Sequence, residues 1–194
     1  SNCVSSICVE TMSGWECSDT CSTSDSCPEG WMCLPMSLGS DVVNVCVDPN
    51  ARLCRPCLAD ADCAGDFSAM GKAKCLSHGA EGSFCGKACA VATDCADGFE
   101  CVEMATDEGM LWQCQPSGGD ACPCTDKFVA KGYRTACYRE NDIGTCYGER
   151  TCDAECDTHE PAIESCNGVD DDCNYKVDDL VPEACELATE GIDS

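Results

Sequence analysis

Twelve of the cysteines in this chain form one ladder written twice. Cys17, Cys21, Cys27, Cys33, Cys46 and Cys54 recur as Cys85, Cys89, Cys95, Cys101, Cys114 and Cys122, each displaced by 68 residues, with intervals of 4, 6, 6, 13 and 8 kept throughout. The residues between them drift: Cys21-STSDS-Cys27 stands against Cys89-AVATD-Cys95, and Cys27-PEGWM-Cys33 against Cys95-ADGFE-Cys101. Conserved spacing with unrelated side chains means that cross-links, not intervening surfaces, define the unit, as in a disulfide-stapled tandem array.

There are 25 cysteines in 194 residues, well above the level that marks a disulfide scaffold. Such a chain would lose its main source of stability if held reduced, so an extracellular or cell-surface location is expected, with the periplasm as an alternative. The 44% hydrophobic content is reached mainly through cysteine and alanine, so several small stapled modules are expected instead of one large core. A closed loop of about 15 residues contributes roughly 3 kcal/mol on chain-entropy grounds, and a dozen bridges can replace a missing core. The net charge of −25, from 36 acidic and 11 basic residues, argues against nucleic acid and anionic membranes as partners. It fits either the solubility of an exposed chain or cation binding. No apolar run approaches a membrane span, and no signal peptide is present. An odd cysteine count is most simply read as one cysteine near the N-terminus that has lost its partner, in a mature or excised piece; a free or intermolecular thiol is the alternative.

The 68-residue repeat divides again. Cys21-x5-Cys27, Cys57-x5-Cys63 and Cys89-x5-Cys95 each open with an acidic, small-residue loop followed by two further cysteines. The organisation read from this is the end of a truncated module (1–20), half-units at 21–56, 57–88 and 89–123, a diverged hairpin unit (124–156), an Asp-rich segment (157–185) and an acidic tail or linker (186–194). Hairpins are expected with Trp31–Pro35 and Val42–Val47 flanking Ser37–Ser40, and with Phe99–Glu103 and Met110–Gln115 flanking Thr106–Gly109. Shorter ones are expected across His78–Gly82 and across Asn141–Ile143. Four cysteines permit three connectivities. The crossed one, Cys21–Cys33 with Cys27–Cys46, Cys57–Cys75 with Cys63–Cys85, and Cys89–Cys101 with Cys95–Cys114, is preferred because it pins each loop to its hairpin from both sides. Cys137, Cys146, Cys166 and Cys173 are further bridge cysteines, the last two expected to clip an acidic turn together.

That turn reads Glu164-Ser165-Cys166-Asn167-Gly168-Val169-Asp170-Asp171-Asp172-Cys173-Asn174-Tyr175-Lys176-Val177-Asp178-Asp179. It resembles the metal-binding motif of MopE-type extracellular Cys-rich proteins of myxobacteria and related bacteria, with the pattern E-x-C-[ND]-G-x-D-[DN]-D-C-[DN]-G-x-V-D-[DE]. The resemblance covers about 16 residues and implies a secreted or surface-attached, multi-module protein. Read physically, Asp170, Asp172 and Asn174 set three oxygen side chains at alternating positions, as in the first half of a calcium loop. The carbonyl of Lys176 takes the place of the backbone ligand, and Asp178 the ninth position. Tyr175 stands where the tight turn wants Gly, and Val181 where a bidentate Glu would close the shell; Asp179, Glu183, Glu164 or water are the substitutes. One weakly held Ca2+ is expected, against the alternative of an ion-free acidic turn. Copper is set aside because the segment lacks histidine and its cysteines are expected to be bridged.

Other chemistry finds little footing. Cys54-Arg55-Pro56-Cys57 and Cys122-Pro123-Cys124 have zinc-ligand spacing, but they occupy equivalent places in the two copies and read as linker cysteines. His78 and His159 read as surface residues, and no nucleophile elbow, metalloprotease helix or phosphate loop occurs. Trp31 and Phe99, equivalent in the two copies, read as packing plugs, and Trp112 as the better candidate for an exposed contact. The sequence therefore predicts a small disulfide-rich fold: tandem stapled modules with short β-hairpins and little helix in an elongated array. Its expected role is a non-enzymatic structural or adhesive spacer stiffened by one calcium ion. Its expected partners are other domains of the same chain or other surface proteins. The alternative is a protein-binding module, such as a protease inhibitor presenting Ser37–Ser40 or Thr106–Gly109 with Leu38 or Met110 as anchor.

Overall fold

The computed structural model describes residues 3, 7–64, 73–119 and 121–179. Val181, Glu183, Cys185 and the acidic tail at 186–194 lie outside the described residues. The described residues form five separate two-stranded antiparallel hairpins. β1 (Cys8–Glu10) pairs with β2 (Trp15–Cys17), β3 (Met32–Leu38) with β4 (Asp41–Val47), and β5 (Cys75–Ser77) with β6 (Ser83–Cys85). β7 (Phe99–Thr106) pairs with β8 (Gly109–Pro116), and β9 (Arg134–Glu140) with β10 (Thr145–Thr151). Among the described residues helix is confined to α1 (Asp60–Cys63), α2 (Asp126–Lys131) and short 3-10 turns. The β1–β2 hairpin and α2 were not anticipated from the sequence.

The β3–β4 and β7–β8 hairpins are tighter than expected. Leu38 pairs with Asp41 and Thr106 with Gly109, leaving two-residue turns at Gly39-Ser40 and Asp107-Glu108. Two-residue turns that match the strand twist favour a left-handed residue; Gly39 supplies it in the first with φ +66°, while in the second the positive φ, +105°, falls on Gly109 just after the turn.

The crossed connectivity is the observed one. Cys21–Cys33, Cys57–Cys75 and Cys89–Cys101 join the first loop cysteine to the first hairpin strand, and Cys27–Cys46, Cys63–Cys85 and Cys95–Cys114 join the second to the second. In all three units the two hairpin cysteines are register partners. The chain entering each loop also pairs with the second strand. Thr20 bridges Val45, Pro56 bridges Phe84 and Ala88 bridges Gln113. Cys21, Cys57 and Cys89 donate their N–H groups to Asn44, Ser83 and Trp112, while Cys46, Cys85 and Cys114 donate to Asp19, Arg55 and Lys87. Backbone pairing and covalent bridges thus specify one geometry together.

Apolar packing is divided, as the composition requires. Ile7, Val9, Leu34, Val45 and Val47 form one cluster with Trp31 against it; Cys54, Phe84 and Cys122 form a second with Phe99 against it; Cys57, Cys63 and Cys85 form a third. Trp31 and Phe99 are the expected plugs. Trp112 is 52% exposed.

Contacts also run between units that are distant in sequence. Cys54 and Cys122, read as separate linker cysteines, are bridged to each other and close a loop of separation 68. Cys57 and Cys124 are bridged elsewhere, to Cys75 and Cys152, so neither zinc-like pair survives as thiolates. Beyond Cys122, α2 carries Lys127 into a buried position where its Nζ meets Glu10 at 3.0 Å and the carbonyls of Thr11 and Ala51 at 2.6 Å each. Desolvation lowers the Lys127 pKa, and Glu10 opposes that shift. Arg55 stacks on the Tyr133 ring at 3.8 Å. Lys74, buried at 5% exposure, reaches Asp60, Asp107 and Glu108, tying the β7–β8 turn to the preceding unit.

Candidate metal centre

The Asp-rich segment is built onto the β9–β10 hairpin. Arg134 holds Asp157 at 2.7 Å and Arg139 holds Glu160 at 3.0 Å, fixing the segment's start along β9. Asn141, at the hairpin tip, donates from Nδ2 to the Pro161 carbonyl at 2.7 Å. Gly144 lets the tip meet the loop: a Cβ there would collide with the carbonyl of Asp172. The covalent anchor is Cys146–Cys173.

This corrects the expected Cys166–Cys173 clip. Cys173 reaches across to β10, and Cys166 is bridged elsewhere. Cys137 and Cys146 face the segment from separate strands, and Cys137 takes Cys156. The loop is therefore stapled to its neighbour, where a local clip would have left it to move independently. His159 sits with Nε2 3.6 Å from both Cys146 Sγ and Cys173 Sγ. His78, read as a surface residue, is half-buried with its ring edge on Phe84 at 5.7 Å, and burial lowers its pKa.

Within the loop, four of the six nominated residues converge. Asp170 accepts the N–H of Asn174 at 3.0 Å and of Tyr175 at 2.8 Å. Asp172 accepts the same Asn174 N–H at 3.1 Å and its side-chain amide at 3.0 Å, and Asp179 also accepts that amide at 3.2 Å. Asn174 Oδ1, the atom a cation would use, accepts from Lys176 N–H. Lys176 also sets its Nζ 3.8 Å from Asp179, a charge that competes with a cation at that carboxylate. Asp178 is turned away: it accepts the N–H groups of Asn167 and Gly168 at 3.0 Å. Tyr175 adopts the left-handed conformation despite not being glycine (φ +72°) and leaves its side chain 88% exposed. The tight turn is formed, at a conformational cost of about 1–2 kcal/mol.

Two residues outside the nominated set organise the site. Asp171 accepts from Ser165 N–H and hydroxyl and from the Asn167 amide. The Ser165 hydroxyl, then Asn167, hold its carboxyl below the usual range. Glu164, considered from the sequence only as a substitute ligand, is 6% exposed. Its Oε1 accepts the Asp172 N–H at 3.1 Å, and its buried Oε2 has no hydrogen-bond partner among the described residues. The signal for Asp171 in the sequence was slight, because one Asp among three consecutive ones carries no distinguishing mark.

The donor set is oxygen-rich, suited to a hard cation. The Cys146, His159 and Cys173 atoms lie close enough together to hold a metal, but both sulfurs are spent in one bridge. Compared with known proteins, the chain matches no family model, and the comparisons with curated proteins and with solved structures found no match.

Proposed function

We propose that this chain is a non-enzymatic, secreted or surface-borne structural spacer, adhesive in use, whose last joint is stiffened by one calcium ion. Eleven bridges among the described residues support an oxidising compartment. Loop–hairpin units cross-linked within and between themselves support a load-bearing or protease-resistant role. The MopE-type resemblance of Glu164–Asp179 supports the metal reading.

The observation that carries the calcium assignment is Glu164. A buried carboxylate oxygen without a partner costs about 1–3 kcal/mol or more and calls for a ligand. Here it belongs to a side chain whose other oxygen is fixed to the backbone of Asp172. Glu164 would supply the acidic ligand missing at Val181, alongside Asp170, Asp172 and Asp179. The test is calorimetric titration of calcium into the oxidised, chelator-stripped protein, with a thermal melt alongside. One site is expected, with a dissociation constant of about 10⁻⁴ to 10⁻³ M. It should be lost in Glu164→Gln and in the Asp170→Asn/Asp172→Asn double variant. No heat and no melting shift at millimolar calcium would overturn the reading. The inhibitor alternative is less well supported, because Asp107 and Glu108 of one nominated reactive loop are engaged by Lys74.

A further inference from the structure

We propose that Cys146, Cys173 and His159 form a latent site for a zinc-class divalent cation, closed while the two cysteines are bridged and opened when a dithiol reductant parts them. His159 is set against this bridge, with Nε2 3.6 Å from Cys146 Sγ and 3.6 Å from Cys173 Sγ. Zinc bonds of about 2.3 Å to sulfur and about 2.0–2.1 Å to imidazole nitrogen, at tetrahedral angles, put each sulfur about 3.5–3.6 Å from the nitrogen and the two sulfurs about 3.8 Å apart. Both nitrogen–sulfur edges of that tetrahedron are therefore already present, and only the sulfur–sulfur edge has to lengthen. Three protein ligands leave the fourth position for water. Cys146 is buried, Cys173 half-buried and His159 exposed, so ion and reductant reach the cluster from the His159 side. The sulfur clusters of the repeat units differ: Cys21, Cys27 and Cys33, or Cys57, Cys63 and Cys85, each draw on two bridges and include no histidine.

Contacts that do not pass through the bridge hold the three ligands together. Ala162 donates its N–H to the Asp171 carbonyl at 2.8 Å, and Asp172 donates to Glu164 Oε1 at 3.1 Å, so the chain leaving His159 is paired with the chain entering Cys173. Arg139 on β9 holds Glu160 at 3.0 Å, and Asn141 at the hairpin tip donates to the Pro161 carbonyl at 2.7 Å, which keeps the same stretch against the hairpin that carries Cys146. Reduction thus frees both sulfurs where the imidazole already stands, and a preorganised ligand set loses little entropy on binding. Sulfur and imidazole donors select a zinc-class ion, whereas calcium takes oxygen ligands. The site is therefore separate from the Asp170–Asp179 loop and stands whether or not that loop holds calcium. A bound ion takes over from the bridge as the anchor between the Asp-rich loop and β10.

In the opening step the dithiol gives two electrons and two protons to the Cys146–Cys173 bond and leaves as its own cyclic disulfide. The ion then displaces the two thiol protons to solvent. The probe is Co2+, a spectroscopic stand-in for zinc, added to the oxidised full chain with and without an equimolar amount of dithiothreitol. The chain carries Cys8→Ser, which removes the one free thiol among the described residues. With the reductant, one Co2+ per chain is expected, showing a tetrahedral spectrum and thiolate-to-metal charge transfer, displaced by Zn2+ and indifferent to millimolar Ca2+. Without it no charge-transfer band should form. Chelation, alkylation and mass mapping should then find the label on Cys146 and Cys173. His159→Ala should weaken binding by more than the roughly 10–100-fold that loss of an outer-shell partner costs. An octahedral spectrum, binding untouched by His159→Ala, or other bridges opening while Cys146–Cys173 stays closed would each overturn the proposal.

Discussion

The loop–hairpin units of the repeat and the Asp-rich segment are both acidic, cysteine-bearing turns fixed to a hairpin, yet they are held differently. In the 89–116 unit, two bridges and a pair of backbone hydrogen bonds determine where the loop sits. In the 164–179 segment one described bridge leads to the hairpin, and carboxylates accept the N–H groups of Ser165, Asn167, Gly168, Asp172, Asn174 and Tyr175. The first arrangement is insensitive to which side chains lie between the cysteines, so those residues are free to drift. The second depends on individual carboxylates carrying their charge, so acid should loosen it and, under the calcium reading proposed above, a cation should brace it. The same chain thus joins a part held by covalent bridges to a part held largely by carboxylates.

The sharpest way to break this contrast is to remove covalent closure. The double variant Cys54→Ala/Cys122→Ala opens a loop of separation 68 and should cost about 4 kcal/mol on chain-entropy grounds. Denaturant unfolding measures it, and a loss below about 1 kcal/mol would mean that contacts such as Lys127 with Glu10 hold the fold without the staple.

A smaller effect separates units that share a scaffold but differ in one clamp. Asp62 accepts the N–H groups of Leu58 and Ala59, and Asp94 those of Ala90 and Val91. The matching residue of the first copy is Ser26, whose hydroxyl instead donates to the Thr23 carbonyl. Asp62→Ser should destabilise by about 1 kcal/mol or less, given its solvent exposure, and Ser26→Asp should stabilise. The Leu58 and Ala59 amides hold the Asp62 pKa below 3.8. A carboxyl whose folded pKa is depressed stabilises above its unfolded value and loses that contribution as pH falls through the folded one. The difference between wild type and Asp62→Ser should therefore be full at pH 7, begin to shrink as pH falls past 3.8 and vanish only below the depressed folded pKa. Melting curves at both pH values test this; a difference that persists in acid would remove the carboxylate from the account.

The same contrast explains what could be read from the sequence. Bridge pairing in the three units was legible because, of three possible connectivities, only the crossed one pins a five-residue loop to its hairpin from both sides. Cys146–Cys173 was not, because its partners are neither repeated nor local, and the nearer Cys166 offered a simpler closure. Cys54–Cys122 was hidden for a related reason: two equivalent residues look like independent linkers until the intervening chain is seen to return. In the Asp loop, composition and alternation identified Asp170, Asp172 and Asn174, but only packing against the hairpin shows that Glu164 is buried and that Asp178 serves another turn.

The most direct measurement is amide hydrogen exchange of the oxidised protein with and without millimolar calcium, resolved by residue. Slower exchange confined to 164–179, with 21–116 unchanged, is the expected result and would establish a rigid covalent part joined to a cation-set one. Exchange unaltered in the Asp-rich segment, or altered equally across the stapled units, would contradict the division on which this account rests.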